Sequence, residues 1–215
     1  MKTDARKEAF RNIDIYPVIS SEFCAGRDAV DVLKAVADGG AKIVQMREKK
    51  VPDKEKYILA EKFRELTSRY AMLLIIDDRV DVALSVDADG VHLGQDDFPM
   101  EAARRIAPEL LIGISTHSRG EALNAQNAGA DYINIGPIFP TATKQVSCGA
   151  LGTGIISELS PYINIPFTVM GGIKGKHIPE LISLGARRIA MVTEISEARD
   201  ITGKVKELRS FFQNT

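Results

Sequence analysis

The chain contains no tryptophan, and aromatic residues make up only 6% of its 215 positions. Few platforms are left on which nucleic-acid bases could stack, so the core has to be built from aliphatic side chains. A charge excess of either sign is also missing: 28 Lys plus Arg stand against 29 Asp plus Glu, for a net charge of -1. Without a basic field, neither nucleic acid nor an anionic membrane is an expected partner. Long apolar runs are absent too, since AMLLII at 71–76 falls far short of the roughly 20 residues of a membrane span. The N-terminal MKTDARKEAFRN has neither an apolar h-region nor a small-residue cleavage site, so no secretory signal is expected. Only two cysteines occur, Cys24 and Cys148, far apart and without a Cys-x-x-Cys or Cys/His spacing. Free thiols in a reducing cytoplasm are therefore expected, and nothing motivates a disulfide.

Against these absences, 45% of the residues are hydrophobic, enough for a full core. Short β-rich runs alternate with segments of helical periodicity. Eight candidate strands lie at 13–19, 42–47, 71–77, 90–94, 110–116, 132–139, 166–171 and 188–195. They are nearly continuous apolar runs, which suits parallel strands covered on both faces; strict alternation would have implied one wet face. Amphipathic segments at 28–41, 53–70, 100–107, 120–130 and 178–186 read as helices. DGGAKIV at 38–44, NAGADYI at 127–133 and SLGARRI at 183–189 form a weak repeat in which Gly ends a helix and the next strand follows at once; DADGVHL at 87–93 is an altered copy. The expected fold is α/β, a single (βα)8 TIM barrel of parallel strands over residues 1–215, with 1–12 as a helical N-terminal extension. An open doubly wound sheet is the alternative, weakened because no Gly-x-Gly-x-x-Gly follows the first strand.

In such barrels chemistry sits beyond the C-terminal ends of the strands, and here those ends are polar. Arg47 and Lys49 follow the second strand, Asp77 and Asp78 end the third, and Gly94-Gln95-Asp96-Asp97 follows the fourth. Ser115-Thr116-His117 ends the fifth, and Thr141, Thr143 and Lys144 share the loop after the sixth. Gly171-Gly172 and Val192-Thr193 end the last two. Asp78 and Asp97 can converge at one rim, where hard oxygen ligands suit Mg²⁺ completed by substrate phosphates. A competing reading has Asp77 capping the helix that follows and Asp78 paired with Arg79. Arg47, Lys49 and Lys144 suit a polyanion such as pyrophosphate, although each alone reads equally as a solvated charge. Gly171-Gly172 lets backbone N–H groups approach an anion. The histidines, His92, His117 and His177, lack metal-ligand spacing: His92 reads as core, His177 as a helix start, and His117 as a loop hydrogen-bonder at a strand end.

Six segments, VQMREK (44–49), IIDDRVDVAL (75–84), ADGVHLGQDD (88–97), IGISTHS (112–118), GADYINIGPIFPTATK (129–144) and MGGI (170–173), together resemble the thiamin phosphate synthase (thiamin-phosphate pyrophosphorylase) family. They occur in the family's order and span nearly the whole chain. The resemblance implies a barrel that joins hydroxymethylpyrimidine pyrophosphate to thiazole phosphate, releasing pyrophosphate with Mg²⁺ as cofactor. The pyrimidine C–O bond would ionise first, and the thiazole nitrogen would capture the carbocation. By motif position, Asp78 and Asp97 would hold Mg²⁺, while Arg47, Lys49 and Lys144 would grip the pyrophosphate. Gln45, Asp77 and Ser115 would line the pyrimidine pocket and its pyrophosphate, Thr141 and Thr143 would meet the thiazole phosphate, and Gly172, Val192 and Thr193 would complete the phosphate loops. Lys144, Ser115, Arg47 and Lys49 are the implied catalytic groups.

Three departures from the family stand out. Asp77 occupies a position usually held by Asn, which exchanges a donor and acceptor for an acceptor alone. The stretch QVSCGALG (145–152) is atypical, and Thr193 replaces a common Ser. Two other functions stay open: a thiazole tautomerase, which resembles the chain less, and a phosphate-ligand binder that has lost turnover through Asp77. The expected partners are small phosphorylated molecules. The oligomeric state, monomer or homo-oligomer, is not fixed by the sequence.

Overall fold

The computed structural model describes residues 2–143 and 149–213. Eight parallel strands close a barrel in sequence order: β1 (Ile15–Ile19), β2 (Ile43–Met46), β3 (Leu73–Asp77), β4 (Gly90–Leu93), β5 (Leu111–Thr116), β6 (Tyr132–Ile135), β7 (Phe167–Val169) and β8 (Ile189–Met191). Helix α1 (Lys2–Arg11) precedes the barrel. After β1 to β7 come α2 (Ala29–Asp38), α3 (Asp53–Arg69), α4 (Val80–Ser85), α5 (Met100–Ile106), α6 (Arg119–Asn127), α7 (Gly154–Leu159) and α8 (Ile178–Ser183), one per strand, and β8 is followed by α9 (Thr193–Ser196) and α10 (Ile201–Ser210). No helix among the described residues is long and apolar enough to cross a membrane. Cys24 is buried and free; Cys148, its only conceivable partner, lies outside the described residues.

The continuous apolar runs have the reason anticipated for them. Alternate residues of each strand face two different apolar volumes. Val44, Leu74, Ile76, Val91, Ile112 and Ile133 pack outward against the helices, whereas Ile43, Leu73, Ile75, Leu111, Tyr132 and Ala190 fill the barrel interior. The same parity carries Gln45, Asp77, His92 and Ser115 to the inside, each two residues beyond an inward-facing position or its counterpart. Capping is local and conventional, with Asp28, Ser118 and Asp200 accepting from Val30, Glu121 and Gly203 N–H groups. In three copies of the helix-to-strand repeat, Gly40, Gly129 and Gly185 adopt φ of +87°, +93° and +101°, the conformation that favours glycine. In the altered fourth copy Asp87 takes that role at φ +50°, which frees Gly90 to enter β4.

Every strand is shorter than the sequence implies, and the sixth and eighth stop furthest short of their expected ends. Beyond Ile135 the chain passes a cis Gly136–Pro137 bond. The Ile138 and Phe139 N–H groups donate to Met170 and Gly171 carbonyls, past the end of β7. The eighth strand stops at Met191, and the end of the expected strand, 193–195, belongs to the short helix α9, closed by Ser196 N–H to Val192 O at 3.0 Å. Helices α7 and α10 were not apparent from periodicity.

Helix α1 closes the N-terminal end of the barrel. Phe10 stacks on Tyr132 with ring centroids 4.2 Å apart, Arg6 meets Asp89 at 3.1 Å and Lys7 meets Asp131 at 2.9 Å. Since Phe10 is only 2% exposed, Phe10→Ala is expected to cost about 3–5 kcal/mol of stability, measurable by denaturant unfolding. A shift under 1 kcal/mol (~ the scale of a tolerated core swap) would show that the helix does not plug the barrel.

Candidate active site

The first cluster forms where β2, β3 and β4 end. Asp77 is the last residue of β3 and, by parity with Leu73 and Ile75, points into the barrel. Asp78 follows in the left-handed region, at φ +60°, a conformation tolerated by Asp more readily than by most residues. Its N–H donates to His92 O at 2.8 Å. Because the backbone has left the strand at this residue, the two carboxylates share a side instead of facing apart. Lys49 forms an ion pair with each: its Nζ lies 2.9 Å from Asp77 Oδ2 and also pairs with Asp78. Arg47 Nε stands 3.8 Å from the same Asp77 oxygen. The competing reading of this stretch fails, because Arg79 precedes α4 without any side-chain cap and pairs with Asp53 and Asp81.

Asp97 reaches the same place from β4. Its Oδ2 accepts the Gly94 N–H at 2.7 Å, and its carboxyl lies within hydrogen-bonding reach of that of Asp78. Two carboxyls in that contact share a proton unless a cation separates them. Burial, and then the Asp77 charge, push the Asp78 pKa up to about 6, despite the opposing effect of Lys49. Burial disfavours the Lys49 charge, yet the Asp77 and Asp78 carboxylates hold its pKa above the usual range. Asp77 Oδ2 is itself buried with no hydrogen-bond partner; Lys49 Nζ is within ion-pair distance but out of hydrogen-bonding alignment. Such an oxygen is costly unless something binds it.

A pH effect follows from these groups. The folded-state pKa of Asp78 lies above that of a free aspartate, so the native state holds an extra proton between pH 3.8 and about 6. The stability this proton supports is present below that window and lost as pH rises through it. In metal-free protein, Asp78→Asn is therefore expected to gain in melting temperature relative to wild type as pH rises across this range. A constant difference would remove the strain assigned to Asp78.

Among the described residues no group of three His, Cys, Asp or Glu side chains is arranged to hold a metal unaided. Two opposed carboxyls with unbalanced charge, Asp78 and Asp97, fit an ion such as Mg²⁺ that takes one or two carboxylates and draws its other ligands from phosphate and water.

A second concavity, of about 380 Å³, lies where β6, β7 and β8 end and is bounded by Thr141, Thr143, Gly171, Gly172, Val192 and Thr193. Gly171 and Gly172 have φ of +102° and +62°, and a Cβ on Gly172 would stand 2.4 Å from Pro140 O, so glycine is required by conformation and space alike. The Thr141 and Thr143 hydroxyls are 3.0 Å apart. Phe23, from the loop after β1, and Glu194 also line this cleft; neither was singled out from sequence. A recess of about 60 Å³, lined by Ser115, His117, Asn134, Thr141 and Thr143, adjoins it through those two threonines. His117 bonds Glu121 through both its N–H and Nδ1, at 2.8 and 3.0 Å, consistent with a loop-stabilising role. His177 stacks on Phe139 at 4.1 Å. Lys144 and the stretch 145–148 lie outside the described residues.

Gln45 and Ser115 face the barrel interior. Gln45 Nε2 donates to Tyr16 Oη at 3.2 Å, and Ser115 Oγ lies 2.9 Å from His92 Nε2. On sequence alone His92 reads as core, and Tyr16 and Tyr132 carry no signal of a polar role. His92 is indeed buried, at 7% exposure, but it is hydrogen-bonded to a site residue.

A closed (βα)8 barrel with a carboxylate–cation cluster on one rim and a Gly/Thr-lined cleft across the mouth is an enzyme architecture suited to phosphorylated substrates. The chain belongs to the thiamine monophosphate synthase family, whose model matches residues 15–195. It is 41% identical over 209 residues to a thiamine-phosphate synthase of Dictyoglomus thermophilum, covering 97% of this chain and 94% of that protein. A thiamine-phosphate synthase of Pelotomaculum thermopropionicum is 43% identical over 198 residues, covering 92% and 91%. The solved structure of thiamine phosphate pyrophosphorylase from Pyrococcus furiosus superposes with a TM-score of 0.88 at 35% identity, covering 98% of each chain. Helix α1 precedes the matched family segment.

Proposed function

We propose that the chain joins hydroxymethylpyrimidine pyrophosphate to thiazole phosphate, forming thiamin phosphate and pyrophosphate, in the cytoplasm. The observation that carries this reading is the convergence of Asp77, Asp78, Asp97, Lys49 and Arg47 on one rim, facing a Gly/Thr cleft. The reaction breaks the pyrimidine CH₂–O bond, and both electrons leave with the diphosphate. The thiazole nitrogen lone pair then forms the new C–N bond. The site's task is to stabilise a departing polyanion, the kind of electrostatic contribution that dominates many catalysed reactions.

Arg47 and Lys49 supply that stabilisation. Arg47 can meet two diphosphate oxygens at once, and Lys49 brings a charge already held above the mouth by Asp77 and Asp78. Asp78 and Asp97 would hold Mg²⁺, which when bound contributes divalent charge to the leaving diphosphate. Gln45 and Ser115 present polar groups beside the pyrimidine, and Thr141, Thr143, Gly172, Val192 and Thr193 would receive the second phosphate. Lys144, next to Thr143 in the sequence, would add a third cation to the diphosphate.

Mixing both substrates with Mg²⁺ should release one pyrophosphate for each thiamin phosphate formed. Binding of both without release would support the non-catalytic reading, and proton exchange on a thiazole substrate alone would support the tautomerase. Turnover that is unchanged in EDTA would remove the metal from the scheme. Asp77→Asn tests the departure from the family directly. If the acid is a drifted amide, the variant is expected to keep or raise kcat; total loss would give Asp77 a required role of its own.

A further inference from the structure

Five side chains from five strands form a continuous hydrogen-bonded file across the barrel. Gln45 Nε2 on β2 donates to Tyr16 Oη on β1 at 3.2 Å, and Tyr16 Oη lies 3.1 Å from Tyr132 Oη on β6. Tyr132 Oη lies 3.1 Å from His92 Nδ1 on β4, and His92 Nε2 lies 2.9 Å from Ser115 Oγ on β5. The two phenols are fully buried, and desolvation raises the pKa of both well above the ordinary tyrosine value. Each therefore keeps its one proton and has one hydrogen bond to donate.

With Gln45 Nε2 donating at its head, the proton count gives the file one direction. The amide nitrogen of Gln45 can only donate, so Tyr16 accepts there and spends its own proton on Tyr132. Tyr132 in turn accepts, and its proton goes to His92 Nδ1. An imidazole whose Nδ1 accepts carries its hydrogen on Nε2, and that hydrogen is aimed at Ser115 Oγ. The serine oxygen is then an acceptor on its inner side, which leaves its own hydrogen turned outward to the mouth.

The backbone is arranged to allow this file. Gly113 on β5 is in register with His92 on one side and Tyr132 on the other. A Cβ at Gly113 would stand 2.0 Å from Tyr132 Cζ and 2.4 Å from Tyr132 Oη. The phenol reaches His92 across β5 only because this position has no side chain.

We propose that Tyr16, Tyr132 and His92 are positioning residues that polarise this file in one direction, so that the Ser115 hydroxyl is held as a hydrogen-bond donor into the mouth. The acceptor it meets is the oxygen-rich diphosphate end of the pyrimidine substrate, an identification that rests on the synthase reading; the direction of the file does not. None of the three residues touches substrate. Their effect is to remove the choice that an isolated serine hydroxyl would have between donating inward and donating outward.

The test is the tautomer of His92, read by ¹⁵N NMR of histidine-labelled protein without substrates. The expected signature is hydrogen on Nε2 and none on Nδ1. Hydrogen on Nδ1 would overturn the proposal, because the file would then run from serine to glutamine. Gln45→Glu replaces the donor at the head of the file by an acceptor, and is expected to move the His92 hydrogen from Nε2 to Nδ1; an unchanged tautomer would also overturn it. Tyr132→Phe keeps the ring that stacks on Phe10 and removes the hydroxyl. In that variant the single-tautomer signature is expected to be lost, and kcat to fall about tenfold, the scale of one misdirected hydrogen bond, with both KM values within about twofold of wild type. An intact tautomer and kcat in Tyr132→Phe would end the proposal. A protein with the expected tautomer but no synthase turnover would contradict the synthase reading alone.

Discussion

Lys49→Ala is expected to lower kcat for pyrophosphate release by about 10²-fold or more, the scale for loss of one preorganised charge-stabilising contact. The ammonium is the shared partner of Asp77 and Asp78, and Asp77 Oδ2 has no hydrogen bond to fall back on. Removing it leaves three carboxylates on the rim, opposed among the described residues by Arg47, 3.8 Å from Asp77. The variant thus loses a positive charge facing the leaving group and exposes that group to repulsion. Lys49→Arg separates these effects: charge is kept, but a planar fork cannot sit between two carboxylates as a point charge does, so partial recovery is expected. Full activity in Lys49→Ala, with melting temperature unchanged, would mean that the leaving group is stabilised elsewhere.

Asp97→Asn is expected to lower turnover by about 10²-fold while holding or raising the melting temperature of metal-free protein. The two effects have one origin. Asn can still accept the Gly94 N–H now taken by Asp97 Oδ2 at 2.7 Å, so the loop after β4 keeps its geometry and only charge is lost. Without metal, that charge adds to an acidic rim in which the pKa of Asp78 already rises to about 6. Its removal relieves the folded state. With metal, the same carboxylate would be a ligand, and turnover depends on it. Steady-state rates over a Mg²⁺ series and a melting curve read the two arms. A variant destabilised and active in equal measure to wild type with a surface mutation would deny Asp97 a place in the site.

Much of this arrangement was legible because strand parity is a geometric fact. Once LLIID is a strand whose Leu73 and Ile75 fill the barrel, Asp77 has to point inward. The polar strand ends likewise fall on one rim of any parallel barrel. What pairwise spacing does not carry is the left-handed backbone of Asp78, which turns two adjacent acids to the same side and brings the second to Asp97. Nor does it carry Gly113, whose meaning lies in its neighbours on adjacent strands and not in its neighbours along the chain. His92 was set down as core because an inward-facing histidine among apolar residues looks alike whether or not its far nitrogen reaches a serine. The end of the eighth strand was misjudged for a related reason: VTEI has strand propensity, but Ser196 N–H and Oγ both return to Val192 O and close a helical turn instead.

Calorimetric titration of inorganic pyrophosphate into the protein, with and without Mg²⁺, tests the gathering of acids and cations around one diphosphate most directly. Binding is expected to strengthen at least tenfold with Mg²⁺ (~1.4 kcal/mol) in wild type and to lose that dependence in Asp97→Asn. Equal affinity with and without the ion in wild type would contradict it.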